Sequence, residues 1–136
     1  MLEKDYDLRR KLTALAKTFP SEEKYRLTDQ IIRAARSATS NIAEGYGRFH
    51  YQENIQYCRQ TRGSLHELIE HLIVANDEGY VTKDDLISLK CEIEACLTVL
   101  NGYINYLLKS KKMKNLQDLK NYILVMIDAE TCRGRF

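Results

Sequence analysis

Along four stretches of the chain, apolar residues recur every three or four positions, the repeat that lines one face of an α-helix. Leu8, Leu12, Leu15 and Phe19 mark the first stretch, and Leu27, Ile31, Ala34, Ala38 and Ile42 the second. Ile55, Cys58, Leu65, Leu68, Leu72 and Ala75 hold the third. The fourth runs through Leu86, Leu89, Ile93, Cys96 (or Leu97), Leu100, Ile104 and Leu107. Little interrupts them, because the 136 residues include one proline and six glycines. Such scarcity of breakers favours long helices over many short strands. Each stripe must be covered, and short connections make successive helices antiparallel neighbours. The pattern predicts an all-α fold, an up-and-down antiparallel four-helix bundle over residues 1–112 with a short C-terminal extension over 113–136.

The boundaries follow from capping chemistry. Asp5 is placed to cap the first helix and Pro20 to end it. Ser21 is expected to cap the second helix, with Glu22 and Glu23 set against the positive end of its dipole. Gly45-Tyr46-Gly47 is expected to stop that helix at Ala43 or Glu44 through a left-handed glycine. A third helix is predicted from about His50 to Asn76, with Gly63 inside it. A glycine there costs roughly 1 kcal/mol relative to alanine, for which close approach of a neighbouring helix would compensate. Glu78-Gly79-Tyr80 marks a turn, and Thr82 caps the fourth helix ahead of Asp84 and Asp85. The cations of Lys109-Ser110-Lys111-Lys112 suit the negative end of that helix. Beyond them, Leu116, Leu119, Ile123, Met126 and Ile127 fit a short amphipathic helix, although Tyr122 to Ile127 fits a strand as well. Thr131 to Phe136 has the composition of a frayed basic end.

Several function classes find no support. No apolar run approaches the roughly 20 residues of a membrane span, and the charged start carries no secretory signal, so a cytoplasmic location is expected. Cys58, Cys91, Cys96 and Cys132 form no C-x-x-C pair and fit free thiols better than a zinc site. A di-iron bundle needs two Glu-x-x-His pairs, yet Leu68 precedes His71 and Gly63 precedes His66 at that spacing. Glu67 and His71, four apart, make one half-site without a second. Gly45-Tyr46-Gly47 lacks the G-K-[ST] ending of a phosphate loop. No metal, no cofactor and no enzymatic activity are expected.

Net charge is only +2, but it is unevenly spread. Residues 63–100 carry two basic and eight acidic side chains, whereas 101–136 carry seven and three. Either the molecule has faces of opposite sign, or neighbouring helices are charged in complementary fashion. On a helical wheel Arg33, Ser37, Asn41 and Glu44 form a strip beside the apolar face of the second helix. They are expected to make a structural polar network, with Asn41 also placed to cap the glycine loop. Arg36, Arg48, Arg59 and Arg62 are the candidate nucleic-acid-binding residues. Tyr46, Phe49 and Tyr51 interleave with Arg48, and such rings stack on unpaired bases.

Ser40-Asn41-Ile42-Ala43-Glu44-Gly45-Tyr46-Gly47-Arg48 resembles the signature of the four helix bundle proteins encoded in intervening sequences of bacterial large-subunit ribosomal RNA genes. Phe19-Pro20, Gln30, Arg33-Ala34-Ala35 and Ser37 are similar to that family's second helix. Arg62-Gly63-Ser64-Leu65, Glu67-Leu68 and Gly79-Tyr80 resemble its third helix and the following turn. Thr61, where a small apolar residue is usual, and His50, where a hydroxyl cap is common, depart from it. The resemblance spans about residues 5–110. It implies a non-enzymatic bundle that assembles into a homo-oligomeric ring, a pentamer. Similar bundles accompany the reverse transcriptases of diversity-generating retroelements, which brings in RNA, another nucleic acid or a nucleic-acid-processing protein as partner. The alternative is a protein-protein interaction scaffold that binds no nucleic acid.

Overall fold

A computed structural model of the chain describes residues 2–133, with side chains from residue 3 to 127. Four α-helices make up most of it, α1 (Leu2–Ala16), α2 (Leu27–Tyr46), α3 (Tyr51–Asp77) and α4 (Lys83–Arg133), with one 3-10 turn at Ser21–Glu23. Sequential helices pack side by side and α1 closes the square sparsely on α4, while the diagonal pairs do not meet. This is the up-and-down bundle that the stripes require, and no strand occurs among the described residues. The stripes point inward. Leu12, Ile31, Ile55, Leu68, Leu72, Ile93 and Leu100 are among the fully buried side chains.

The bundle depends on how closely α2 and α3 approach. Gly45 is not a left-handed stop: it is a buried residue inside α2, with Tyr57 and Asn54 of α3 directly above it. A Cβ added there would lie 2.8 Å from Tyr57 Cβ and 2.9 Å from Asn54 Oδ1. α2 runs on to Tyr46, two residues past Glu44, and Gly47 keeps ordinary helical geometry (φ −72°). Further along this seam the Thr61 hydroxyl, fully buried, donates to the Ala38 carbonyl at 3.1 Å. The residue that departs from the family pattern thus spends its polar group on the neighbouring helix. Gly63, by contrast, has nothing within 4 Å of a built Cβ, so no helix approaches it.

Other boundaries moved for local reasons. α1 begins at Leu2, which puts Asp5 within the helix rather than at its cap. It ends at Ala16, and Phe19 then tucks into the core beside Tyr80 with ring centroids 5.4 Å apart. Ser21 opens only the 3-10 turn, and α2 starts six residues later. The charge–dipole interaction survives, because Glu23 Oε2 accepts from the Leu27 amide at 3.2 Å. At the far end of α3, Gly79 takes a positive φ of 78°. Tyr80 N donates to Ala75 O and Gly79 N to Asn76 O, the paired bonds of a Schellman cap. Thr82 caps α4 as expected, its Oγ accepting from Asp85 N at 3.2 Å. His50 sits at the N-cap of α3 without a side-chain bond.

The largest departure is α4. It does not end at Lys109–Lys112 but runs on to Arg133, 51 residues in all, so Tyr122–Ile127 is helical and not a strand. Lysine is a good helix former, and after Gly102 no glycine or proline interrupts the sequence up to Arg133. Lys111 donates to Gln52 at 2.6 Å near the start of α3, so the helix beyond it passes the end of the bundle.

The two interior glycines should respond oppositely to alanine. Gly45→Ala adds a methyl group where none fits and should cost about 1–3 kcal/mol. Gly63→Ala, in open space within a helix, should add up to about 1 kcal/mol of stability. Thermal melts of the two variants check this; a Gly45→Ala protein as stable as the parent would contradict the close approach of α2 and α3.

Candidate nucleic-acid interface

The α2–α3 corner is the chemically richest surface. Phe49 there is 98% exposed and Tyr46 75% exposed; Tyr25, at the other end of the bundle, is the other strongly exposed ring outside α4. Arg48 between them is held from two sides. Its Nη2 donates to Glu44 Oε1 at 2.7 Å and to the Tyr57 hydroxyl at 3.1 Å, and its guanidinium lies 5.4 Å from the Tyr57 ring centroid. A shallow open depression of about 450 Å³, lined by Ser40, Ala43, Glu44, Gly47 and Arg48, adjoins it. Because Lys111 reaches Gln52, the lysines of α4 (Lys109, Lys111, Lys112 and Lys114) come to this same end of the molecule. Glu44 and Glu53 share it, so the cations outnumber the carboxylates without excluding them. Exposed rings beside a cationic run are the elements of single-strand recognition, since bases stack on the rings and phosphates meet the charges.

The four arginines singled out from the sequence do not form one patch. Arg48 lies on the α2 side of α3, against Tyr57. Arg62 lies on the α4 side, where Nη1 donates to Asn101 at 3.3 Å. Arg36 and Arg59 are exposed on α2 and α3. The polar strip on α2 divides as well. Ser37 bridges the helices: Ser64 Oγ of α3 donates to its Oγ at 3.0 Å, and Asn41 Nδ2 donates to the same oxygen at 3.1 Å. Asn41 therefore turns back along its own helix instead of capping the glycine loop. Arg33 pairs with Asp29 at 2.9 Å on the surface, and Glu44 belongs to the Arg48 cluster, so neither joins Ser37. The sequence places Lys109 to Lys112 at a helix end, and the continuity of α4 brings them, with Lys114, to the corner.

A second concavity, a groove of about 330 Å³ between α1 and α4, is lined by Asp5, Leu8, Glu92, Cys96 and Val99 among others. Burial pushes the Asp5 carboxyl above the usual carboxylate range. Burial, reinforced by Asp5, pushes the neighbouring Cys96 thiol up to about 12. A thiol kept protonated is a poor nucleophile at neutral pH. His71 Nε2 and Glu67 Oε1 lie 3.1 Å apart, and among the described residues no group of three or more His, Cys, Asp or Glu is arranged to hold a metal. No helix among those residues is long and apolar enough to cross a membrane.

The segment Ser40–Arg48, which carries the strongest family resemblance, forms the end of α2 and the corner itself. A family model for the 23S rRNA-intervening sequence protein matches residues 1–102. The chain belongs to the 23S rRNA-intervening sequence protein family. A search of curated proteins finds no match. The family region takes in α1, α2, α3 and the start of α4, and with them Tyr46, Arg48 and Phe49. Lys109 to Lys114 and the rest of α4 lie beyond it, so this intervening-sequence protein family member adds its own cations to a corner that the family region builds.

Glu44 and Arg48 are about half exposed, and an exposed i,i+4 pair contributes little to stability. Glu44→Ala should therefore leave the melting temperature within a degree or two. A drop of many degrees would show that the carboxylate carries a buried contact.

Proposed function

We propose that the protein binds single-stranded RNA, or a nucleic acid of similar form, at the α2–α3 corner, with little sequence preference and without catalysing a reaction. The observation that supports this reading is the convergence of Phe49, Tyr46 and Arg48 with the lysine run of α4 at one end of the bundle. Stacking on exposed aromatics contributes about 1–3 kcal/mol per base and tolerates any base. Lysine contacts to phosphate release counterions and make affinity fall with salt. One subunit carries a net charge of only +2, so a single corner binds weakly. A homo-oligomer, the pentameric ring that the family resemblance implies, would repeat the corner and raise avidity by linking sites. The reading places the protein in the cytoplasm, where such RNA is found.

The interaction-scaffold reading keeps one observation of its own: the apolar side chains that α4 exposes beyond the bundle, Leu116, Leu119 and Ile123 among them. Fluorescence anisotropy of a labelled single-stranded RNA, at low and at physiological salt, separates the two. Affinity is expected to fall steeply with salt. Tyr46→Ala with Phe49→Ala should weaken binding at least tenfold, and Lys112→Gln with Lys114→Gln should flatten the salt dependence. Lys24→Gln, at the other end of the bundle beside Tyr25, should leave affinity within about twofold. Absence of binding at low salt, or binding indifferent to the corner variants, would favour the scaffold.

A further inference from the structure

Past Lys111 the helix α4 has left the bundle, yet it does not become polar. Met113, Leu116, Leu119, Ile123 and Met126 are 66%, 44%, 55%, 47% and 50% exposed. Leu116, Leu119, Ile123 and Met126 are spaced three, four and three apart, which is a heptad seam of the kind that two helices share. On a wheel this seam is turned by about a third of a revolution from Ile93, Leu100, Ile104 and Leu107, which face the bundle. It is therefore a second face and no mere overrun of the first. An isolated helix of this length is marginal in water, and its persistence calls for a partner along the seam.

We propose that residues 113–126 of α4 form an antiparallel two-stranded coiled coil with the same segment of a second copy of this chain. Area supports a second copy. Five side chains with about half their surface exposed, with their neighbours, can bury on the order of 500 Å² per copy, which reaches the roughly 1,000 Å² total that a specific interface needs. Charge sets the direction. When Leu116 faces Met126 and Leu119 faces Ile123 of the other copy, the two Lys112 side chains lie at opposite ends of the paired segment. A parallel pair in register would set Lys109 against Lys109 and Lys112 against Lys112 on the seam, where like charges select against pairing. The antiparallel pair also holds the two basic corners at opposite ends of the shared rod, so their lysine runs do not repel. This contact is separate from any that the bundles make with one another, and it stands whether or not RNA is bound.

Light scattering of the full chain at micromolar concentration, beside Leu119→Glu with Ile123→Glu, tests the pairing. The parent is expected to have twice the mass of the double variant, whatever number of copies the bundles themselves hold together. Circular dichroism should show the bundle of the variant still folded. Equal masses would overturn the proposal. Orientation is tested in chains that carry Cys91→Ser and Cys132→Ser. A mixture of Leu119→Cys and Ile123→Cys chains should oxidise to a disulfide-linked dimer, and either chain alone should not, since like positions are then too far apart to bridge. Cross-linking of each chain with itself would establish a parallel pair. A fall in mass without any cross-link in the mixture would place the segment on another surface, and either result overturns the proposal.

Discussion

The approach of α2 to α3 at Gly45 is the contact on which the rest of the molecule depends. Without a side chain at this position, the Asn54 and Tyr57 side chains come within van der Waals range of the α2 backbone. Once the two helices are this close, Thr61 can reach the Ala38 carbonyl and Ser64 can reach Ser37. These bonds satisfy buried polar groups that would each cost roughly 1–3 kcal/mol if left alone. They also fix the relative rotation of the helices, so that Ile31, Ala38, Ile55 and Leu68 meet in one core. α1 and α4 are then laid on a rigid hairpin, by Thr28 to the Ala16 carbonyl on one side and Asn54 to the Tyr103 hydroxyl on the other.

The same contact shapes the corner. With α2 pressed on α3, the link between them is only four residues long, and it has no interior in which to hide Phe49 or Tyr46. Tyr57 follows from the start of α3 at the height where Arg48 can lie over its ring. Asn54, packed on Gly45, reaches across to Tyr103 and so ties the corner to α4. Two turns further along α4, Lys111 meets Gln52. A packing constraint inside the bundle thus decides which cations stand beside which aromatic rings outside it.

Much of this was legible in the sequence, because apolar periodicity is a local signal with a global consequence. The stripes of α2 and α3 are buried residue for residue, and in α1 only Leu15 yields its expected place, to Ala16. Capping signals were less dependable. Thr82 and Gly79 kept their roles because no tertiary contact competes for them. Gly45 was misread because a glycine used for close packing looks the same in sequence as one used for a turn. The lysine run at 109–112 was misread for a related reason, since cations suit a helix end yet do nothing to end one. Of the site, Arg48 and its flanking aromatics were visible from their interleaving. The scatter of Arg36, Arg59 and Arg62 and the arrival of Lys111 required the relative rotation of α3 and α4, which no single-helix pattern contains.

The central claim, that the α2–α3 hairpin presents an aromatic and cationic corner to nucleic acid, is tested most directly by locating bound RNA on the chain. Ultraviolet cross-linking of a uridine-rich single strand to the intact protein, followed by mass spectrometry of the adducts, does so without any substitution. Adducts on Tyr46, Phe49 or Tyr51, with Lys109 to Lys114 protected from acylation in the complex, are the expected result. Adducts confined to Tyr25 or Tyr80 at the other end of the bundle, with the lysines unprotected, would contradict it.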